Sequence, residues 1–131
     1  MRRTAVNPWA WSAELGYNQG EIVSGHTRTL YCAGQTAMSD DGEPRHAGDM
    51  AAQLALSVDN LEAVLGEAGM SLANLVRLNV YTTDVDRLFE HYGVLASRLG
   101  AAGVAPSTTM LGVARLAIPG LLVELEGTAV A

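Results

Sequence analysis

Leu121-Leu122-Val123-Glu124-Leu125-Glu126-Gly127-Thr128-Ala129-Val130 closes the chain, and its alternation decides how the rest is read. In an extended segment Val123 and Leu125 point one way while Leu122, Glu124 and Glu126 point the other. A strand with an apolar side needs a covering layer, and two upstream segments have the period to supply it. Asp49 to Ala68 places Met50, Leu54, Val58, Leu61, Leu65 and Ala68 at steps of three and four, the stripe of a core-facing helix, with Gly69 as its C-terminal stop. A second helix begins at Asp84-Val85-Asp86, with Asp84 or Asp86 as N-cap. Its stripe is Leu88, Tyr92, Leu95 and Leu99, and it closes at Gly100 and Gly103.

Working outward, Leu75–Thr83 alternates as a strand, Val76, Leu78 and Val80 against Arg77, Asn79 and Tyr81. Ser107–Val113 reads as a further strand, and Arg115-Leu116-Ala117-Ile118-Pro119-Gly120 turns the chain into the last one. Near the start, Glu21-Ile22-Val23 and Arg28–Ala33 read as a hairpin across Ser24-Gly25-His26-Thr27. Residues 1–19 read as an irregular arm pinned by Trp9 and Trp11 as buried aromatics. The order β-β-α-β-α-β-β predicts an α+β domain spanning 1–131, a mixed sheet with two helices on one face. Apolar residues on both sides of several strands predict that a second copy covers the other face.

The whole-chain figures bound the function. A length of 131 residues suits one domain with a real core. Hydrophobic residues are 49% and charged residues 17%, which argues against disorder; aromatics are only 5%, so the core rests on Ala, Val and Leu. A formal net charge of -6 without any basic run disfavours nucleic-acid binding, which needs clustered Lys and Arg. The single cysteine, Cys32, forbids an internal disulfide and suits a reducing compartment. With no signal-peptide pattern and no apolar run of about 20 residues, the expectation is a cytoplasmic protein without a membrane partner.

Few residues carry chemistry. His26, His46 and His91 are far apart and lack metal-ligand spacing, so no metal site is expected. No phosphate-cradling glycine loop or nucleophile elbow occurs, and Cys32 in an apolar strand packs as a small hydrophobe. The carboxylates of the last strand stand out. Burial would raise the pKa of such a group and make it a general acid or base near neutral pH. The plainer alternative is a solvated sheet face, or ion pairs with Arg77 or Arg115.

Five segments in register resemble one family. Leu15-Gly16-Tyr17-Asn18-Gln19-Gly20, Ala33-Gly34-Gln35, Asp59-Asn60-Leu61, Val113-Ala114-Arg115-Leu116 and Val123-Glu124-Leu125-Glu126 follow the order and spacing of the Rid (reactive intermediate deaminase, YjgF-type) family. The resemblance implies a chorismate-mutase-like fold and a homotrimer, with active sites in clefts between subunits. It also implies metal-free, cofactor-free hydrolysis of small enamines or imines to ammonia and a carbonyl product. Carried over residue by residue, Glu124 matches the water-positioning glutamate, Tyr17 a pocket tyrosine, and Gly34 a glycine whose amide binds substrate.

The match has gaps. Thr108 stands where the family has its carboxylate-binding arginine, Ala33 where it has a serine, Met110 at the pocket cysteine and Tyr92 at a polar asparagine. A threonine cannot replace the bidentate grip of a guanidinium. The resemblance therefore implies a less cationic pocket for a neutral or aromatic small molecule, with 2-aminoacrylate turned over weakly or not at all. Arg28 or Arg115 is a candidate replacement cation. A non-catalytic, ligand-binding or regulatory module is the alternative, and RNA cleavage, a label carried by some relatives, the least favoured.

Overall fold

In the computed structural model, which describes all of residues 1–131, the last strand is the hub of a sheet. The strands are β1 (Arg2–Val6), β2 (Gly20–Ser24), β3 (Thr29–Tyr31), β4 (Leu75–Thr82), β5 (Ser107–Gly112) and β6 (Val123–Val130); the helices are α1 (Met50–Glu67), α2 (Val85–His91) and α3 (Gly93–Ala101). Four strands form a sheet in the order β3-β6-β4-β5. Strand β6 runs antiparallel to both β3 and β4, whereas β4 and β5 are parallel and joined through α2 and α3. This is the expected mixed α+β architecture.

Three details differ from the reading above. The hairpin does not form: β2 pairs with β1, a strand within the supposedly irregular arm, while β3 pairs with β6. Arg3 ties this two-stranded ribbon to the body, pairing with Glu21 and donating to the carbonyls of Ala73 (2.5 Å) and Leu75 (2.6 Å). Trp9 and Trp11 are not buried pins, being 59% and 55% exposed. The second helix is two helices. The Tyr92 amide reaches only the Phe89 carbonyl, at 3.4 Å, and the ladder restarts at Gly93. Glycine costs roughly 1 kcal/mol inside a helix relative to alanine, so the ladder lapses where the sequence is weakest.

Helix α1 follows its stripe. The Asp49 side chain accepts from the Ala52 amide at 3.0 Å and opens it. Gly69, at φ +73°, takes the left-handed position that ends it, while the Met70 amide donates to Leu65 and the Gly69 amide to Gly66, at 2.8 and 3.0 Å. Met50, Leu54, Val58, Leu61 and Leu65 are fully buried against Leu78, Val80, Leu125 and Ala129 of the sheet. Each such side chain contributes about 1.5–3 kcal/mol.

The opposite sheet face is not doubly apolar. A register irregularity between Leu75 and Arg77 takes Val76 out of the alternation. The open face then carries Arg77, Asn79 and Tyr81 beside Thr128, Glu126 and Glu124. Its exposed apolar side chains, Tyr31 and Leu111, lie on the two edge strands. No helix is long and apolar enough to cross a membrane.

Candidate functional site

Glu124 lies on the open face beside Tyr81, and Glu126 lies beside Asn79. Asn79 Nδ2 and Tyr81 OH both donate to Glu126 Oε1, at 2.9 and 3.0 Å. That bond to the carboxylate is the main cause that raises the Tyr81 phenol pKa. Glu124 has no such anchor. Burial pushes its carboxyl pKa up and the charge of Glu126 pushes it further, with no hydrogen bond from the chain to offset either. Neither glutamate pairs with an arginine. Arg77 donates to Thr109 at 2.6 Å, and Arg115 to the carbonyls of Leu116 and Ala117 at 3.2 and 3.5 Å.

The Glu124 carboxyl is seated on Gly34. The chain leaves β3 along β6, where Cys32 donates to Gly127 at 2.9 Å and Gln35 exchanges both backbone bonds with Leu125 at 2.7 and 2.9 Å. Ala33 and Gly34 are the unpaired residues between these anchors. A Cβ on Gly34 would stand 2.6 Å from Glu124 Cδ and nearer still to Oε1. Gly34 is thus needed for space rather than for its backbone angles. From α1, Asn60 Nδ2 holds the following segment through the carbonyls of Thr36 and Met38, at 2.8 and 2.9 Å. Ala33 is exposed, and its carbonyl accepts from Gln35 Nε2.

The other residues singled out from the sequence gather elsewhere. Thr108 pairs with Leu78 and Met110 with Val80, on the helix-covered face. They line a cleft of about 400 Å³ with Tyr17, Tyr92, Leu15 and Phe89. Tyr17 meets Trp11 edge-on, with ring centroids 6.1 Å apart at 78°. Burial raises the Tyr92 phenol pKa, and neighbouring Tyr17 adds to the rise. The Thr108 hydroxyl donates to the Pro106 carbonyl at 2.8 Å. Of the candidate replacement cations, Arg28 donates to the Ala68 carbonyl at the end of α1, and neither it nor Arg115 lines this cleft.

The sheet therefore divides the expected site. Glu124, Ala33 and Gly34 belong to the open side, and Tyr17, Tyr92, Thr108 and Met110 to the helix side. Sequence reasoning passed over Leu15, Phe89 and the bonds of Asn79 and Tyr81 to Glu126. The alternation of β4 put Asn79 and Tyr81 on one face, but only the β4–β6 register shows what they meet. Cys32 is buried, and burial raises its thiol pKa, the condition of an inert thiol. No three His, Cys, Asp or Glu side chains converge as metal ligands would.

Known proteins share this architecture. The model of the family described as Endoribonuclease L-PSP matches residues 9–131. The mitochondrial protein mmf2 of Schizosaccharomyces pombe is 30% identical over 126 residues, 96% of each chain. The RutC family protein YjgH of Escherichia coli is 32% identical over 120 residues, 89% of this chain and 88% of its own. Among solved structures, the Rid-family protein YyfB of Yersinia pestis superposes with a TM-score of 0.84 at 33% identity over all of both chains. The chain belongs to the Endoribonuclease L-PSP family, the YjgF/Rid proteins.

Proposed function

We propose that this protein hydrolyses a small imine or enamine without metal or cofactor, in a cleft where Glu124 of one copy faces the Tyr17–Tyr92 hollow of the next. The observation that carries this reading is the seat of Glu124. A half-buried carboxyl with a raised pKa and no hydrogen-bond donor from the chain, set over the Gly34 backbone, has the proton affinity and the position of a general base. The division of the site by the sheet supports a shared cleft, because no single chain can bring Glu124 and Thr108 into one pocket. The family's homotrimer would supply the second half.

The chemistry balances simply. Glu124 takes a proton from water as the water oxygen bonds to the carbon of the protonated imine, giving a neutral carbinolamine. The proton returns to nitrogen, the hydroxyl gives its own proton to Glu124 as the C–N bond breaks, and the carbonyl compound and ammonia leave, the ammonia taking up that proton as ammonium. The Gly34 amide, which donates to no group of the chain, holds substrate against the glutamate in this reading. Tyr17 closes the cleft, and Ala33, Tyr92, Thr108 and Met110 shape it.

Purified protein is expected to speed ammonia release from at least one N–H imine, and Glu124→Gln to abolish it. Equal rates for the two would end the assignment. A second reading, ligand binding without turnover, is favoured by Thr108, whose donor is occupied by Pro106 and offers no charged anchor. RNA cleavage, the activity in the family's description, suits the chain less well. Its 14 acidic residues outnumber 8 basic ones, and Arg3 and Arg98 are committed to carboxylates.

A further inference from the structure

We infer that the compound taken by this cleft is a small protonated imine that carries a flat aromatic or similarly apolar substituent and no carboxylate. The inference rests on the shared cleft proposed above and deepens it. Its first support is the wall of the helix-side half. Tyr17, Phe89 and Tyr92 surround the hollow with Leu15 and Met110, and Phe89 is 62% exposed, an aromatic edge left open in the single chain. A second hollow of about 260 Å³ adjoins across the shared residues Leu15 and Tyr92 and continues along α3. Ring faces attract flat apolar groups and organic cations alike.

The second support is the missing cation. All 8 basic residues are arginines, and none lines either hollow. Arg87 binds the Gly48 carbonyl, Arg115 the carbonyls of its own loop, and Arg77 binds Thr109 on the open face. Arg77 stands one same-face step along β4 from Asn79, and its charge, which draws the Tyr81 phenol pKa down against the larger causes that raise it, acts on the open face and not in either hollow. The Thr108 hydroxyl is already given to Pro106. A substrate carboxylate would lose its water here and gain no charge-assisted partner.

The third support is the sign of the opposing half. Glu124 and Glu126 bring two carboxyls to the open face, against the one guanidinium of Arg77, and the other titratable groups there are Tyr81 and Tyr31, so the face is negative on balance. Such a surface repels a carboxylate and attracts the C=NH2+ group of a protonated imine. One half thus selects the apolar body and the other the positive reacting end. Hydrolysis of this substrate consumes water and gives a neutral carbonyl compound and ammonium.

The test separates binding from turnover. Calorimetry on the assembled protein at low salt compares benzamidinium with benzoate, one ring with opposite charges. Benzamidinium is expected to bind more tightly by on the order of tenfold. Thr108→Arg should narrow or reverse the order, and Glu126→Gln should weaken benzamidinium without affecting the fold, as read by circular dichroism. Benzoate binding equally or better, or no binding of either, overturns the inference. In parallel, ammonia release is followed from benzophenone imine and from 2-imino-2-phenylacetate made in situ from phenylglycine by an amino-acid oxidase. Glu124-dependent turnover that prefers the carboxylate compound overturns the substrate class and leaves the hydrolase reading intact. Benzamidinium binding without Glu124-dependent turnover does the reverse.

Discussion

The Glu124 carboxyl occupies the space that a side chain on Gly34 would need: a Cβ there would lie 2.6 Å from Glu124 Cδ. Gly34→Ala must therefore displace the glutamate or the segment beneath it. The atoms in the way are the outer end of a side chain that makes no hydrogen bond, so the cost in stability is small and the effect falls on the placement of the carboxyl. We expect the variant to fold, with Glu124-dependent imine hydrolysis reduced by on the order of tenfold to a hundredfold. Activity within twofold of wild type, measured by ammonia release, would show that the carboxyl is not held by this seat.

Glu124 also sets a pH dependence of stability. Its carboxyl holds a proton more tightly in the folded chain than in the unfolded one, so the folded state binds more protons and stability falls as pH rises through that range. The penalty is absent below the ordinary carboxyl value of 4.5 and fully present above the raised folded value. Glu124→Gln should then be more stable than wild type at neutral pH, and the difference should vanish in acid. Urea denaturation at a series of pH values reads this directly; a gap that widens toward low pH would contradict it.

The charge of Glu126 is one of the two causes of the Glu124 shift, and Asn79 and Tyr81 hold it in place. Removing that charge lowers the Glu124 pKa. If Glu124 works as the base, the acid limb of the pH–rate profile moves to lower pH in Glu126→Gln. An unmoved limb with a lower plateau would assign Glu126 a purely structural part.

A cleft shared between copies can be tested by complementation. Glu124→Gln leaves the hollow intact, and Thr108→Trp fills the hollow while sparing Glu124. Each variant alone should be inactive. Co-refolded in equal amounts, they should recover about a quarter of wild-type activity, since random pairing restores both halves in that share of sites. The assembled species should have three times the 13.8 kDa chain mass by light scattering. No recovery from a well-mixed oligomer would place the whole site within one chain.

Gln53 is buried in α1, with its amide donating to the carbonyls of His46 and Gly120, at 3.0 and 2.8 Å, and accepting from the Leu122 amide at 2.7 Å. Gln53→Leu leaves the Gly120 carbonyl and the Leu122 amide without their partners, while the His46 carbonyl keeps the Asp49 amide. With each such orphan costing about 1–3 kcal/mol, we expect a loss of at least about 2 kcal/mol by chemical denaturation. The Leu122 amide should also exchange faster with solvent. A neutral substitution would mean that water replaces the amide.

Much of the fold was legible because local signals agreed with the packing. The stripe of α1, its Asp49 cap and the Gly69 stop predict the helix to within a residue at either end. The hairpin was misread because Ser24–Thr27 carries turn chemistry, while the pairing is decided at a distance, by β1 and β6. Strand β1 is exposed on both sides and shows no alternation to read. The glutamates were visible as carboxylates in an apolar strand. Their separation from Thr108 and Met110 was not, because alternation assigns faces within a strand and only register relates one strand's faces to another's.

Gln53 and Asn60 are seven residues apart on α1, about 10.5 Å along the axis and within about 20° of one meridian. One hooks the loop that feeds β6, the other the segment that follows Gly34. The Gln35–Leu125 backbone pair fixes Glu124 against its seat, and the helix acts as a ruler whose two marks hold the segments that lead into and out of that pair. Deleting one residue between the marks would swing the second hook about 100° around the axis, so the tolerance of this helix to length change is set by a site it never touches.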